Sequence, residues 1–427
     1  MPIRRPRGPK PTLRHLAFLS GMAETPEEGP AHREARAGFL ALRQLDHWIA
    51  YGDGGGVPTE HSTEVTAEAI RAVTDDAELR AAYDAIVSAI PTISDVDAQP
   101  VLPRVFALGS LLEQRGHTAQ AADVYTTVVR YVDPVAHLDL AFDASMRQAA
   151  CLRQEGELDH ADQAYTHAGT LAARTRDRVR VLSSRLGRAR VTADRGNLPA
   201  AAAALVELEQ EAHETGSNDL VAMTLHQRAA VAHALGDFER ALSTVWRAFQ
   251  LTNDAYDRER MLWDLSNFLG RIGAVDASRD ALQLITRTTK HREARLLAYQ
   301  NLMDLASRTG NEIEFHQYRR VLADQPLPTA RRVSFLLDLG NGFARFGNRV
   351  SAREALTTAL KEAEVVGLNQ RVFQIESALR ALDHQVAQPT ANPLHAAGTA
   401  GIATPVEIQD GLRELLRESA ETSLSAV

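Results

Sequence analysis

Histidines, a cysteine and one glycine-rich segment are the parts of this chain that could support catalysis, metal binding or phosphate binding. The fifteen histidines are scattered. Pairs such as His160 with His167 and His226 with His233 lack the HExxH pattern or the cysteines of a zinc site. The segment GDGGG at 52–56 has no following Lys-Ser or Lys-Thr pair and no preceding strand pattern, so it does not predict a phosphate loop. We therefore expect a protein that is not an enzyme and has neither a metal nor a cofactor.

The composition favours helices and a partner other than nucleic acid. The 427 residues are 44% apolar but only 5% aromatic, a mixture that suits helices better than sheets. The net charge is −8, and basic residues near the N-terminus leave the remainder more acidic still, which disfavours binding to nucleic acid. No apolar run is long enough to span a membrane. The single cysteine, Cys151, fits a reducing compartment, so we expect a cytoplasmic protein without a membrane partner.

Glycines recur at regular intervals through the middle of the chain. The first four are 40 residues apart and the last four are 37 apart: Gly116, Gly156, Gly196, Gly236, Gly273, Gly310 and Gly347. Because glycine adopts the positive φ that ends a helix, each of these glycines predicts a turn between two helices. A fixed interval of this length is the signature of a repeat protein.

Small and apolar residues keep a constant register with these glycines. Seven residues before the glycine the side chain is small in six of seven cases, and nine and twelve residues after it the side chain is mostly apolar. Five residues after it, five of seven are alanine: Ala121, Ala161, Ala201, Ala241, Ser278, Phe315 and Ala352. Spacings of five, nine and twelve lie on one face of a helix. Cys151 falls where other repeats carry Leu, Val or Phe, so we predict a core residue rather than a nucleophile.

This pattern resembles the tetratricopeptide repeat (TPR) family over residues 101–384, as about seven TPR-like repeats. The resemblance implies an all-α fold, a right-handed superhelical solenoid of antiparallel helix hairpins. Two features depart from the family: the intervals exceed the usual length of about 34 residues, and the proline at the repeat end is missing. The sixth repeat is the least regular, with Met303, Phe315 and Arg319 at positions that are usually small, small and aromatic.

The flanking regions are assigned by composition. Residues 1–30 are predicted to be a disordered tail, and Met22 is an alternative start. Residues 31–100 should contain helices and a degenerate or capping repeat, in which Asp76 lies 40 residues before Gly116. A helix at 371–384 should cap the solenoid, and 385–404 reads as a flexible linker. Residues 405–427 predict an amphipathic helix, which we expect to fold back on the array rather than dimerise or bind a partner.

In the TPR family, the first helix of each hairpin lines a concave groove. The resemblance places His226, Trp263, Gln300 and Leu337 in this groove, ten residues before their glycines. It predicts these peptide-binding residues in the last three repeats: Trp263, Asp264, Asn267, Arg271, Asn301, Asp304, Arg308, Asp338, Asn341 and Arg345.

Two details of this predicted site bear on its specificity. Asn267 and Asn301 match the asparagines of the family's carboxylate clamp, but Trp263, Ser334 and Asp338 stand where that clamp needs basic residues. A clamp on a C-terminal carboxylate is therefore disfavoured. The three arginines either stabilise helix C-termini through the helix dipole or contact a peptide.

Two functions are compatible with this pattern. The first is a non-enzymatic scaffold or adaptor that binds a peptide or helix of a protein partner in the groove. The alternative is a regulatory protein whose superhelix changes shape when a peptide or other ligand binds. An RNA-binding repeat was the third possibility, and the acidic charge argues against it. The sequence does not identify the partner or the oligomeric state.

Overall fold

The structure is a computed structural model that describes residues 14–25, 29–51, 60–90, 98–325, 327, 329–365, 368–384 and 405–425. Every regular secondary-structure element in these ranges is a helix, which confirms the predicted all-α class. The predicted linker 385–404 and the GDGGG segment lie outside the described residues. The chain divides into an N-terminal unit, residues 1–215, and a C-terminal unit, residues 216–427.

Among the residues that the structure describes, four helices precede the repeats: α1 (Leu16–Ala23), α2 (Pro30–Tyr51), α3 (Glu60–Arg71) and α4 (Ala77–Ala89). Helix α2 packs on α1, α3 and α4, and α4 contacts the first helix of the repeats. Asp76 caps α4, since its carboxylate accepts a hydrogen bond of 2.8 Å from the Leu79 amide. Asp76 therefore begins the second helix of a hairpin at the place where the repeats have their glycine.

Seven hairpins follow, each with a first helix (the A helix) and a second helix (the B helix). In chain order they are α5 (Leu102–Gln114) and α6 (Thr118–Tyr131), α7 (Leu138–Gln154) and α8 (Leu158–Ala172), α9 (Arg178–Asp194) and α10 (Leu198–Glu214), α11 (Asn218–Ala234) and α12 (Phe238–Leu251), α13 (Ala255–Arg271) and α14 (Val275–Thr288), α15 (Arg292–Arg308) and α16 (Glu312–Ala323), α17 (Thr329–Arg345) and α18 (Arg349–Val365). In the described part of the chain, two helices follow the last hairpin: α19 (Asn369–His384) and α20 (Val406–Ser425). The predicted repeat of antiparallel helical hairpins is confirmed.

The glycines at the turns adopt the left-handed backbone conformation that their position requires. All seven have φ between 75° and 83°. After α5 the amide of His117 donates to Leu112 O and that of Gly116 to Glu113 O, the two bonds that close a helix end of this type. The residue after the glycine then starts the next helix; for example, the Asp237 carboxylate accepts from the Arg240 amide. A glycine followed by Asp or Asn therefore ends one helix and caps the next.

The small residues allow the two helices of a hairpin to approach closely. A Cβ atom at Gly109 would lie 2.7 Å from the Tyr125 ring, and one at Gly340 would lie 2.6 Å from Leu356 Cγ. The residue seven before the turn glycine is thus small because the large residue nine after that glycine packs against it. In the irregular sixth hairpin Phe315 takes the place of alanine, and Gly342 on the next A helix provides the space, since a Cβ there would lie 2.2 Å from the Phe315 ring.

Helix α1 lies within the residues that the sequence predicted to be a disordered tail. Phe18 is fully buried and packs over Gly38, where a Cβ would lie 2.3 Å from the Phe18 ring. His15 Nδ1 lies 3.0 Å from Asp123 Oδ1, and its Nε2 lies 3.3 Å from Asp46 Oδ2. The segment is ordered because an aromatic side chain and a paired imidazole are buried, although its composition resembles that of a tail. A chain that began at Met22 would lack these contacts.

In the C-terminal unit the A helices form an inner layer and the B helices an outer one. Helix α15 packs directly on α17, and α11 contacts α13. By contrast, α12 and α14 each pack on the A helices on either side of them in the chain, and α16 packs on α15. Helix α19 packs on α18 and α17, the two helices of the last hairpin. Helix α20 packs on α14 in the outer layer, so the predicted amphipathic helix folds back on the array.

Candidate functional site

All ten predicted site residues lie on α13, α15 and α17 of the C-terminal unit. Nine residues before the glycine they are Asp264, Asn301 and Asp338, and six before it they are Asn267, Asp304 and Asn341. These two registers lie about one helical turn apart. Acidic and amide side chains therefore alternate both along each A helix and from one helix to the next. We call the surface that these side chains form the inner face.

Two of the acidic residues join neighbouring A helices. His226 Nε2 on α11 lies 2.6 Å from Asp264 Oδ2 on α13. Gln300 Nε2 on α15 donates to Asp338 Oδ2 on α17 over 2.5 Å. Both bonds connect the residue ten before one glycine to the residue nine before the next. Asp264 and Asp338 thus hold adjacent hairpins together.

The third acidic residue, Asp304, is held by an arginine of the next hairpin. Arg345 Nη1 lies 3.0 Å from Asp304 Oδ1 and donates to Ser307 Oγ over 2.7 Å. Arg308 is a weaker partner, with 3.8 Å between its Nη1 and Asp304 Oδ2. Arg345 therefore has a structural role that neither sequence interpretation of the three arginines included, since it joins α15 to α17.

Burial makes the carboxyl of Asp338 unusually basic. Burial, together with the nearby negative charge of Asp304, raises the pKa of Asp338 to about 6, although the Gln300 hydrogen bond and the cations Arg371 and Arg345 oppose the shift. The part of the inner face on α15 and α17 is therefore a bonded network in which a carboxylate is partly desolvated.

The remaining predicted residues are free of such bonds. Among the described residues, no hydrogen bond, ion pair or ring contact involves the side chain of Trp263, Asn267, Arg271, Asn301 or Asn341. Asn267 and Arg271 are exposed, and Trp263, Asn301 and Asn341 are half-buried. The structure thus separates the predicted set into residues that join hairpins and residues whose polar groups face solvent.

The free residues are concentrated on the successive A helices α13 and α15, and we call the part of the inner face that these two helices carry the α13–α15 junction. At this junction, the bond from the residue ten before one glycine to the residue nine before the next would join Trp263 to Asn301. The bond equivalent to that of Arg345 with Asp304 would join Arg308 to Asn267. In the part of the chain that the structure describes, neither pair is bonded. This junction lacks both links that hold α15 to α17.

The sequence identified the positions of the inner face but not their pairing. His226 and Gln300 were recognised as groove positions without their carboxylate partners, and Ser307 was missed. The usable signal was the constant spacing of 38 residues from His226 to Asp264 and from Gln300 to Asp338.

Two shallow depressions lie outside the inner face, at the start of α8 beside Arg195 and along residues 349–358.

Other chemistry in the described residues is sparse. Cys151 is fully buried, and burial raises the pKa of its thiol to about 12, which agrees with the predicted core role. In the described ranges no three His, Cys, Asp or Glu side chains are grouped so that they could hold a metal ion. No helix among them is both long enough and apolar enough to cross a membrane.

The glycine-turned hairpins and their inner and outer layers define a helical repeat protein with TPR-like hairpins. No protein-family model matches the chain. No curated protein matches it either.

Among solved structures, the chain is similar to the apo form of RapI, with 11% identity, a TM-score of 0.44 and coverage of 81% of this chain and 99% of that one. It is similar to the Rap conjugation gene regulator of the plasmid pLS20 in complex with the Phr* peptide, with 13% identity, a TM-score of 0.46 and coverage of 80% and 97%. A tetratricopeptide repeat protein from Parabacteroides merdae gives 14% identity, a TM-score of 0.39 and coverage of 64% and 98%.

Proposed function

We propose that this protein is a non-enzymatic adaptor whose inner face binds an extended peptide of a protein partner, centred on the α13–α15 junction. The observation that carries the proposal is the set of unbonded side chains there, Trp263, Asn267 and Asn301, beside junctions whose equivalent residues are bonded to each other. Polar groups without partners on a repeated surface are available to a ligand.

The chemistry of these side chains suits an extended backbone. An asparagine amide has two donors and an acceptor, so it can pair with both the N–H and the C=O of a peptide whatever the side chains of that peptide are. Asn267, Asn301 and Asn341 lie on three successive A helices, which gives such contacts at intervals along a chain. Trp263 offers a half-buried aromatic surface for one apolar side chain.

The site can be tested without knowing the natural partner. Peptides would be selected from a displayed random library against the full chain, and their dissociation constants measured by fluorescence anisotropy. If each amide contributes about 1 kcal/mol, Asn267→Ala combined with Asn301→Ala weakens binding by roughly 30-fold. Asn253→Ala, at an exposed asparagine outside the inner face, is the matched control. Unchanged affinity in the double variant would refute the assignment.

A second function, a sensor that changes shape, is favoured by the missing links at the α13–α15 junction. A ligand that bridges α13 and α15 would change the angle between the fifth and sixth hairpins. The test is to create the missing link: Trp263→His with Asn301→Asp copies the bonded pair His226 and Asp264. Small-angle scattering should then show a selected peptide changing the radius of gyration of the wild type but not of this variant. An equal change in both proteins would contradict the sensor.

A further inference from the structure

Helix α20 occupies a surface of the outer layer that belongs to α12 and α14. Gly411 lies against Trp246 of α12, because a Cβ there would be 2.4 Å from Trp246 Cζ2. Arg287 of α14 donates to the Leu416 carbonyl over 2.9 Å. Asp280, Leu284 and Arg287 lie on one stripe of α14. We call the surface formed by Trp246, Asp280, Leu284 and Arg287 the outer docking surface.

The contact between α20 and this surface leaves part of the apolar stripe of the helix uncovered. Ile408 and Leu412 are fully buried, but Leu415 and Leu416 on the same stripe remain half-buried. The contact of Arg413 Nε with Asp280 Oδ2 is long, at 3.9 Å. Gly411 is needed for the approach to Trp246, yet a glycine inside a helix disfavours the helical state. Helix α20 thus leaves part of its apolar stripe uncovered and carries a residue at its centre that disfavours the helix.

Two groups of the outer docking surface are not fully used by α20. The Trp246 indole is 4% exposed, and its Nε1 has no hydrogen-bond partner among the described residues. Arg287 donates to a backbone carbonyl, and within the described residues no carboxylate forms an ion pair with it. A buried donor without an acceptor is unfavourable, and an arginine binds a carboxylate more strongly than a neutral carbonyl. A different helix could therefore bind this surface better than α20 does.

We propose that the outer docking surface binds an amphipathic helix of a partner protein, and that α20 occupies it as a competitor within the same chain. The partner helix carries two apolar residues four apart, as Ile408 and Leu412 are, and a small residue against Trp246. It also carries a hydroxyl or carboxylate that accepts from Trp246 Nε1 and an acidic residue that pairs with Arg287. The surface lies in the outer layer and is distinct from the inner face.

The experiment uses a fluorescein-labelled peptide of residues 405–425 as the probe and the full-length chain as the receptor. In the Leu412→Asp chain the resident helix is weakened, and the outer docking surface becomes available to the probe. If α20 occupies the surface in at least nine-tenths of wild-type molecules, the probe binds the variant about tenfold more tightly or better. The chain with Val406→Asp, at an exposed position of α20, should behave as the wild type.

Two further variants separate a free surface from a disturbed fold. Gly411→Val places a side chain against Trp246 and should release α20 without adding charge, so it should also increase probe affinity. Adding Trp246→Ala to Leu412→Asp should abolish the gain. Equal probe affinity for wild type and Leu412→Asp would overturn the proposal, as would absence of binding to both released variants. A wild-type dimer by light scattering that Leu412→Asp dissociates would also overturn it, because the occupant would then be a second copy of α20.

Discussion

Replacing Asp338 by asparagine should stabilise the C-terminal unit at neutral pH. Burial raises the pKa of this carboxyl from 3.8 to about 6, so at pH 7 the folded protein holds an ionised group that the unfolded chain solvates better. A shift of two units corresponds to about 3 kcal/mol. Because the side chain is half-buried, screening by water reduces this to about 1–2 kcal/mol. The amide oxygen of asparagine can still accept the hydrogen bond from Gln300.

The pH dependence distinguishes this cause from others. A folded-state pKa above the unfolded value means that the wild type gains stability as the pH falls from about 7 towards 4, because the folded state takes up the proton first. The advantage of Asp338→Asn should therefore be present at pH 7 and mostly gone at pH 4.5.

Urea unfolding of the full chain gives the measurement. Two of the three tryptophans, Trp246 and Trp263, lie in the C-terminal unit and report on it by fluorescence. Asp276→Asn is the control, since the Asp276 side chain is 79% exposed, and it should change stability by less than about 0.5 kcal/mol. A loss of stability in Asp338→Asn at pH 7, or a gain of the same size at both pH values, would refute the reasoning.

Three other perturbations test the fold. Deleting residues 1–21 removes Phe18 and should destabilise the N-terminal unit by about 3 kcal/mol or more, measured by thermal unfolding; an unchanged midpoint would show that α1 does not matter. Asp46→Asn should lower the free energy of unfolding by about 2 kcal/mol at pH 7, because the partners of Asp46 lower its pKa to about 2. That stabilisation is lost as the pH falls from about 4 through 2, so the difference in stability between the variant and the wild type should disappear in acid. Gly340→Val should lower the free energy of unfolding by more than about 2 kcal/mol, because the valine side chain would clash with Leu356.

The hairpins could be predicted because each depends on local chemistry repeated along the chain. A glycine with positive φ ends the first helix at each turn, and in four of the seven hairpins an Asp or Asn follows it, as Asp237 does where it caps the next helix. The small residue seven before the glycine is needed for contact within the same hairpin. The formation of helix α1 by residues near the N-terminus could not be predicted in this way. It depends on Phe18 packing against Gly38 and on His15 contacting Asp46 and Asp123, which are contacts over long sequence distances with no repeat to indicate them.

The helices that carry the inner face could be predicted, but which of its side chains are bonded to one another could not. Asp264 and Asn301 occupy the same register on successive helices, and only the residue facing each of them separates their roles. Asp264 faces His226 and is bonded, whereas Asn301 has Trp263 in the corresponding place. Sequence reasoning from one helix at a time treats the two alike, because the difference lies between hairpins.

The distribution of these bonds also explains why a ligand would bind at one place on an otherwise repetitive surface. His226 with Asp264 joins the fourth hairpin to the fifth, and Gln300 with Asp338 and Arg345 with Asp304 join the sixth to the seventh. These links fix the A helices on both sides of the α13–α15 junction before any ligand arrives. A ligand there would have to order the unbonded side chains of Trp263, Asn267 and Asn301 but not the linked helix pairs that carry them, and preorganisation of the helices raises affinity for a given set of contacts. At the linked junctions, by contrast, a peptide would have to replace bonds that already exist, so the same asparagine chemistry would give less net binding energy.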